Sequence, residues 1–229
     1  MERKDITEVE EPNLLEDLFP HVQVPRIAFE GNIYEEINGE VIKFDPQEAL
    51  KREWLITDTT FRDGQQARPP YTVDQIVDLY NLLAKLGGPN GVIRQSEFFL
   101  YTKKDREAVD RCREQGHRFP EITGWIRAHE GDFRLVKEMQ LPETGMLTSS
   151  SDYHIFYKLK MDRRKAIDFY VHMAAQAIEN EIRPRLHLED LTRADIYGFV
   201  VPYVQALMEL GEQAPDHLKP KIRLCDTMG

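Results

Sequence analysis

From residue 54 to the last residue, short apolar runs that read as strands alternate with amphipathic stretches that read as helices. No other feature restricts the fold as much, because strand-helix alternation implies a parallel sheet with right-handed crossovers. The first unit is a strand beginning at Trp54 that passes into a polar turn at Gly64, followed by a helix over 72–87. Further strands are expected over 92–99, 121–127, 144–150, 184–190 and 221–226. The expected helices between them cover 105–115, stopped by Gly116, then 131–139, 163–181 and 192–210. In the helix over 163–181, Ile167, Val171, Ala174, Ala175 and Ile178 fall on one stripe.

The pattern predicts an incomplete (β/α)8 TIM barrel of about six parallel strands over 51–229. A complete barrel has eight strands and takes roughly 250 residues. Two readings account for the shortfall: a piece of a longer enzyme, or an open doubly wound sheet complete as it stands. The unfinished barrel pattern favours the first, since open parallel edges are costly for buried ladders. Residues 1–50 are mixed in character and read as an N-terminal arm or cap. Within them a small hairpin is expected around Asn38-Gly39, a dipeptide suited to a tight turn.

Charge and composition exclude several classes of function. Forty Asp and Glu stand against thirty Lys and Arg, a formal net charge of -10, so no basic stripe offers a footprint for nucleic acid. No run of about 18 apolar residues is present to form a membrane-spanning helix. The start, Met1-Glu2-Arg3-Lys4-Asp5, does not read as a secretory signal. Cys112 and Cys225 lack metal-type spacing and are too few for a disulfide framework, so a cytoplasmic home is expected.

Candidate functional residues follow from where the strands end and which way they face. Arg62 and Asp63, adjacent and opposite in charge, sit at the carboxyl end of the first strand, the end that carries chemistry in α/β barrels. Read alone, such a dipeptide is a surface ion pair worth little. Side chains alternate along a strand, so Arg185, His187 and Glu189 share one face while Leu186 and Leu188 share the other. The leucines suit packing under the helices, which turns the polar set into the barrel. For His187 a satisfied core histidine is favoured; for Glu189, at the mouth, a functional role is. Gln95 and Glu97 share a face in the second strand, as do Thr123, Trp125 and Arg127 in the third. An Arg127–Glu97 ion pair and a substrate-binding role for both residues stand about level.

The run Asp58-Thr59-Thr60-Phe61-Arg62-Asp63-Gly64-Gln65-Gln66 resembles the first-strand signature of the metal-dependent aldol/Claisen barrels. These are the isopropylmalate synthase and homocitrate synthase family, with citramalate synthase and hydroxymethylglutaryl-CoA lyase. Ser151-Asp152-Tyr153-His154 resembles the family's Ser-Asp-x-His loop, and Glu189-Asp190-Leu191-Thr192-Arg193 its Glu-Asp-x-x-Arg segment. Asp226-Thr227-Met228-Gly229 is similar to its Asp-Thr-x-Gly strand end, so the likeness covers about 53–229. Gln65 stands where the synthases usually carry Glu, and 68–71 replace a run of smaller residues; both bear on the keto acid rather than on the family.

The resemblance implies an acyltransferase that condenses acetyl-CoA with a 2-keto acid, as in leucine biosynthesis, and that forms a homodimer at full length. It implies a divalent metal (Mg, Mn or Zn) with Asp63 as one ligand, and catalytic roles for Arg62 and Glu189. Gln66, Glu97, Arg127, Ser151 and Thr227 would bind substrate. The family's remaining metal ligands form a His-x-His motif after strand seven. None occurs here, so this chain by itself is expected to bind metal weakly and to be inactive. A carbon-carbon lyase or carboxyltransferase on the same barrel, and a non-catalytic half-barrel, are the alternatives.

Overall fold

The computed structural model describes residues 51–66 and 68–227, together with the backbone of two short strands, 33–37 and 40–44. Those two strands, β1 (Ile33–Ile37) and β2 (Glu40–Phe44), pair antiparallel with Ile33 opposite Phe44 and Ile37 opposite Glu40. The expected turn residues Asn38 and Gly39 lie outside the described residues. The hairpin belongs to a unit spanning Leu15–Leu55, and the parallel sheet to a second unit that includes Ile56–Gly229.

The sheet has six strands: β3 (Ile56–Asp58), β4 (Ile93–Phe99), β5 (Glu121–Ile126), β6 (Glu143–Ser149), β7 (Arg183–Glu189) and β8 (Lys221–Leu224). They lie in chain order and each neighbouring pair is parallel. The sheet curls into a half-barrel. Its helices are α1 (Val73–Gly87), α2 (Lys103–Glu114), α3 (Phe133–Glu138), α4 (Arg163–Glu179) and α5 (Val201–Glu212). The apolar core runs between these helices and the sheet, with Phe98, Ile126, Met146, Leu186 and Leu188 buried on the strands against Val109, Val136, Ile167, Ala174 and Leu207.

Local chemistry sets where the helices begin. At α1 the Thr72 hydroxyl accepts from the Gln75 amide while the Gln75 side chain accepts from the Thr72 backbone. Thr102 and Asp105 make the same reciprocal pair at α2, and Asp162 caps α4. Each cap satisfies amides that the first turn leaves without partners.

Three stretches depart from expectation. The first strand spans only Ile56–Asp58, and the apolar residues before it are exposed. The segment over 192–210 is not one helix but a 3-10 turn (Leu191–Arg193), a π-type turn (Ile196–Val200) and then α5. The break falls at Asp195, whose side chain caps Gly198 N and also pairs with Arg163 at 3.0 Å, so a tertiary contact interrupts the helical pattern. A further π-type turn, Tyr153–Lys158, follows β6 where no helical element is expected.

Candidate active site

Arg62 sits just past β3 in a turn that brings its guanidinium over the concave face. Its Nε donates to Glu97 Oε2 at 2.8 Å, and its terminal nitrogens pair with both oxygens of Asp63 at 2.8 and 2.7 Å. The guanidinium carbon lies 3.8 Å from the centre of the Trp125 ring, a cation–π stack that fixes the plane of the fork. Gln66 donates to Asp63 Oδ1 at 3.2 Å. Gln65 holds the turn: its amide donates to Phe61 O at 2.6 Å and accepts from Tyr71 N at 3.0 Å. An ionised carboxylate there could only accept, which gives the departure from the family's Glu a structural reason.

Trp125 keeps its place because the neighbouring strand offers no side chain beneath it. A Cβ on Gly145 would fall 2.5 Å from Trp125 Cε3. The indole meets His187 edge-on at 4.4 Å.

Below the mouth, buried Arg185 organises the strands. It donates to Gln95 Oε1 at 2.8 Å, Glu97 Oε1 at 2.7 Å, Thr123 Oγ1 at 3.1 Å and His187 Nε2 at 3.1 Å, and it also bonds Glu143. Glu97 thus carries Arg185 on one oxygen and Arg62 on the other, linking floor to mouth. His187 is a core histidine that accepts a hydrogen bond, with its pKa pushed down to about 2 by burial and by the charges of Arg185, Arg223 and Arg62. Both causes favour the neutral imidazole.

The second half of the mouth gathers on Glu189. Ser149 Oγ donates to Glu189 Oε2 at 2.5 Å, His154 Nδ1 lies 3.0 Å from the same oxygen, and Lys158 Nζ lies 3.2 Å away. Burial works to raise the Glu189 carboxyl, but the Ser149 hydrogen bond and the Lys158 and His154 charges outweigh it and hold it below the usual range. Tyr170 fixes the end of β6 from behind, its hydroxyl accepting from Ser149 N at 2.9 Å and donating to Ser149 O at 3.2 Å.

Ser151 and Thr227 meet at Asp190. Ser151 Oγ donates to Asp190 Oδ2 at 2.5 Å, and Asp190 N donates to Thr227 Oγ1 at 2.8 Å. Asp190 has a left-handed backbone, φ 63, and these bonds together with the Arg193 fork at 2.8 and 2.7 Å over-determine it. Buried Arg163 ties the loops together by gripping Asp152 through two bonds, at 2.9 and 2.7 Å, as well as Asp195.

Arg127 is not paired with Glu97. Its side chain is 72% exposed, and its guanidinium forks onto Asp132 with two bonds of 2.9 Å. The 3-10 turn Glu130–Asp132 brings that carboxylate back to the strand end, while Glu97 is already saturated by two other arginines. The residues whose roles the motifs alone do not give are His154, Lys158 and Ser149 around Glu189, and Trp125 beneath Arg62. For Ser149 the signal was strand parity, which sets it on the same face as Gly145; for His154 it was the Ser-Asp-x-His loop itself.

The donor set does not make up a divalent-metal site. Asp63 is one carboxylate, 47% exposed, with both oxygens engaged by Arg62. Among the described residues no group of three or more His, Cys, Asp or Glu side chains gathers to hold a metal, and such sites need several donors.

The HMGL-like family model matches residues 53–229. The chain belongs to the HMGL-like family. Relatives of this HMGL-like chain include the Citrate (Re)-synthase of Syntrophus aciditrophicus, 53% identical over 227 residues, covering 99% of this chain and 34% of that protein. The Citrate (Re)-synthase of Clostridium kluyveri is 50% identical over 224 residues, covering 98% of this chain and 46% of that protein. The chain therefore spans about a third to a half of the length of the curated relatives it matches. Among solved structures, the hydroxymethylglutaryl-CoA lyase of Pseudomonas aeruginosa superposes with a TM-score of 0.58 at 15% identity, over 77% of this chain and 59% of that one. The likeness to the lyase is one of fold, a (β/α)8 barrel of which the six strands form the curled part.

Proposed function

We propose that the protein carrying this chain is an acyltransferase that condenses acetyl-CoA with a 2-keto acid. The observation that carries the reading is Arg62: a guanidinium held flat on Trp125 by Glu97 and Asp63, at the carboxyl end of the first parallel strand and on the same concave face as Glu189. The identity with two proteins named Citrate (Re)-synthase supports it.

In this reading Arg62 donates to the keto oxygen as negative charge builds on it, a role in which a preorganised donor counts most. A base takes a proton from the acetyl methyl group. The resulting enolate carbon bonds to the keto carbon, whose π electrons move onto oxygen, and that oxygen is protonated to a tertiary alcohol. Water then cleaves the thioester. Glu189 belongs to the acid-base relay, with Ser149, His154 and Lys158 setting its charge and direction. Glu97 orients Arg62. Ser151 and Thr227 act through Asp190 to shape the mouth, and Gln66 and Arg127 stand at its rim. Asp63 is assigned as one donor of a divalent metal whose other donors lie outside the described residues. A cytoplasmic homodimer is part of the same proposal.

The test is release of free CoA thiol by the complete natural protein with acetyl-CoA and a panel of 2-keto acids. Arg62→Lys is expected to lower turnover by roughly 10²–10³-fold, with an unchanged denaturation midpoint. Glu189→Gln is expected to lower it by roughly 10²–10⁴-fold. Acyl-CoA cleavage that needs no keto acid, or full activity in both variants, would overturn the reading.

A further inference from the structure

The loop that follows β6 is closed on itself. It leaves the sheet at Ser149, runs through the π-type turn Tyr153–Lys158 and enters α4 at Arg163. Arg163 reaches back 11 positions to Asp152, the residue that opens the turn, with bonds of 2.9 Å from Nε and 2.7 Å from Nη2. Its Nη1 donates to Asp195 at 3.0 Å, and Asp195 opens the second π-type turn, Ile196–Val200. One guanidinium thus holds the first residue of both irregular turns, a kind of turn that is rare and gathers at functional sites.

Stability alone is a weak reason for this arrangement. Arg163 is fully buried and Asp152 nearly so. Desolvation offsets most of the attraction in such a pair, and packed apolar side chains hold loops as firmly. What a bidentate fork adds is direction, because both N–H groups must meet the carboxylate in its own plane.

The side chains hung on the closed loop are His154 and Lys158. His154 Nδ1 and Lys158 Nζ lie 3.0 and 3.2 Å from Glu189 Oε2, the oxygen that Ser149 Oγ also meets, so the three together fix the rotation of the carboxylate. Ile155 is the one buried residue of the turn. Lys158 is half-exposed and long, so its hold on Glu189 depends on where its backbone starts. Around Glu189 stand Ser149 on β6, His154 and Lys158 on the turn, Tyr170 on α4 and Cys225 past β8. Of these, His154 and Lys158 are the pair that the loop carries.

We infer that Arg163 is a positioning residue for the acid-base relay: by closing the loop through Asp152 it sets His154 and Lys158 on Glu189. The inference rests on the proposed condensation for the role of Glu189, and its test tells the two apart. Arg163 touches no reacting group; its effect passes through Asp152 and the turn.

The test uses the complete natural protein with acetyl-CoA and the 2-keto acid that gives the fastest release of CoA thiol. In Arg163→Lys the cation stays, but an ammonium group cannot fork onto Asp152 and also reach Asp195. The ratio of kcat at about pH 5 to kcat at about pH 7 is expected to fall several-fold, because a Glu189 carboxyl without its cations rises toward the ordinary range and takes up a proton at the lower pH. Lys158→Met is expected to move the ratio less. Added to Arg163→Lys it is expected to change nothing further, since the lysine has already left the carboxylate. Hydrogen exchange is expected to quicken over 152–160 and to stay level in β6 and β7. Asp152→Asn weakens the fork from its other end and carries the comparison if Arg163→Lys does not fold. A loss of kcat equal at both pH values, or shifts that add in the double variant, would overturn the inference. Should the wild type condense no keto acid, the proposed reaction fails. Exchange then decides the positioning by itself: quickening confined to 152–160 supports it, and no change, or a change spread over the sheet, refutes it.

Discussion

Arg185 and Arg62 share one carboxylate, Glu97, yet they sit in opposite settings. Arg185, low in the sheet and buried, meets five partners drawn from four strands, and nothing in its surroundings is left to bind a ligand. Arg62, at the mouth, is held by two carboxylates and a tryptophan face, and not all of its five N–H groups are engaged by partners among the described residues. The same side chain thus serves as a strand clamp in one layer and as a presented donor in the next. What separates them is saturation, not burial alone. A buried cation whose donors are all used fixes the structure, whereas one held by part of its fork is available for chemistry.

That contrast can be broken at its strongest point first. Arg185→Met is expected to cost roughly 3–5 kcal/mol, because it strips partners from buried Glu97 and Glu143 together. Equilibrium denaturation in urea measures the loss, and a cost under about 1 kcal/mol would mean that the floor is not the clamp described here.

Gly145→Ala tests the link between the layers. Its new methyl group would lie 2.5 Å from the Trp125 ring and 3.1 Å from His187 Nε2, so the indole must move and take the stacking surface from Arg62. An overpacking cost of roughly 1–3 kcal/mol is expected, together with a changed near-ultraviolet circular dichroism signal from tryptophan. An unchanged signal would show that the glycine is incidental.

The smallest effect is a pH dependence. His187 has a native pKa of about 2, against an ordinary value of about 6.5 in the unfolded chain. Between those values the unfolded chain takes up a proton that the native protein refuses, so stability is full above about pH 6.5 and falls as the pH drops below it. Glu189, Asp190 and Asp132, all held below the usual carboxylate range, add their losses only below about pH 4. The urea midpoint of the wild type should therefore decline from pH 7 to pH 5, and His187→Gln, which still offers an acceptor to Arg185, should lack that part of the decline. Parallel profiles would remove His187 as its source.

Much of the cup is legible in strand parity. Arg185, His187 and Glu189 face inward and Leu186 and Leu188 outward because side chains alternate, and Gln95, Glu97 and Thr123 join them by the same rule. What parity does not carry is reach across loops. Arg127 pairs with Asp132, not Glu97, because a single 3-10 turn folds Asp132 back. The helical run after β7 breaks because Asp195 answers to Arg163 from another segment. Arg62 on Trp125 is a contact between strands that are not neighbours, which no local pattern encodes. Strand ends and facing directions are properties of short windows, whereas pairings at the mouth are settled by tertiary competition.

The half-barrel also has two margins. Along the first, β3 presents Ile56, and Leu82 and Leu86 on α1 stand exposed; along the other, β8 presents Leu224, and Met208 on α5 does the same. Both outer strands carry a row of backbone amides and carbonyls without a ladder neighbour in the six-stranded sheet. Oily side chains beside a free parallel ladder are what sheets use to recruit more strands. As an isolated polypeptide the six-stranded body should therefore be sticky at both flanks, and crowding will set how long it stays dispersed.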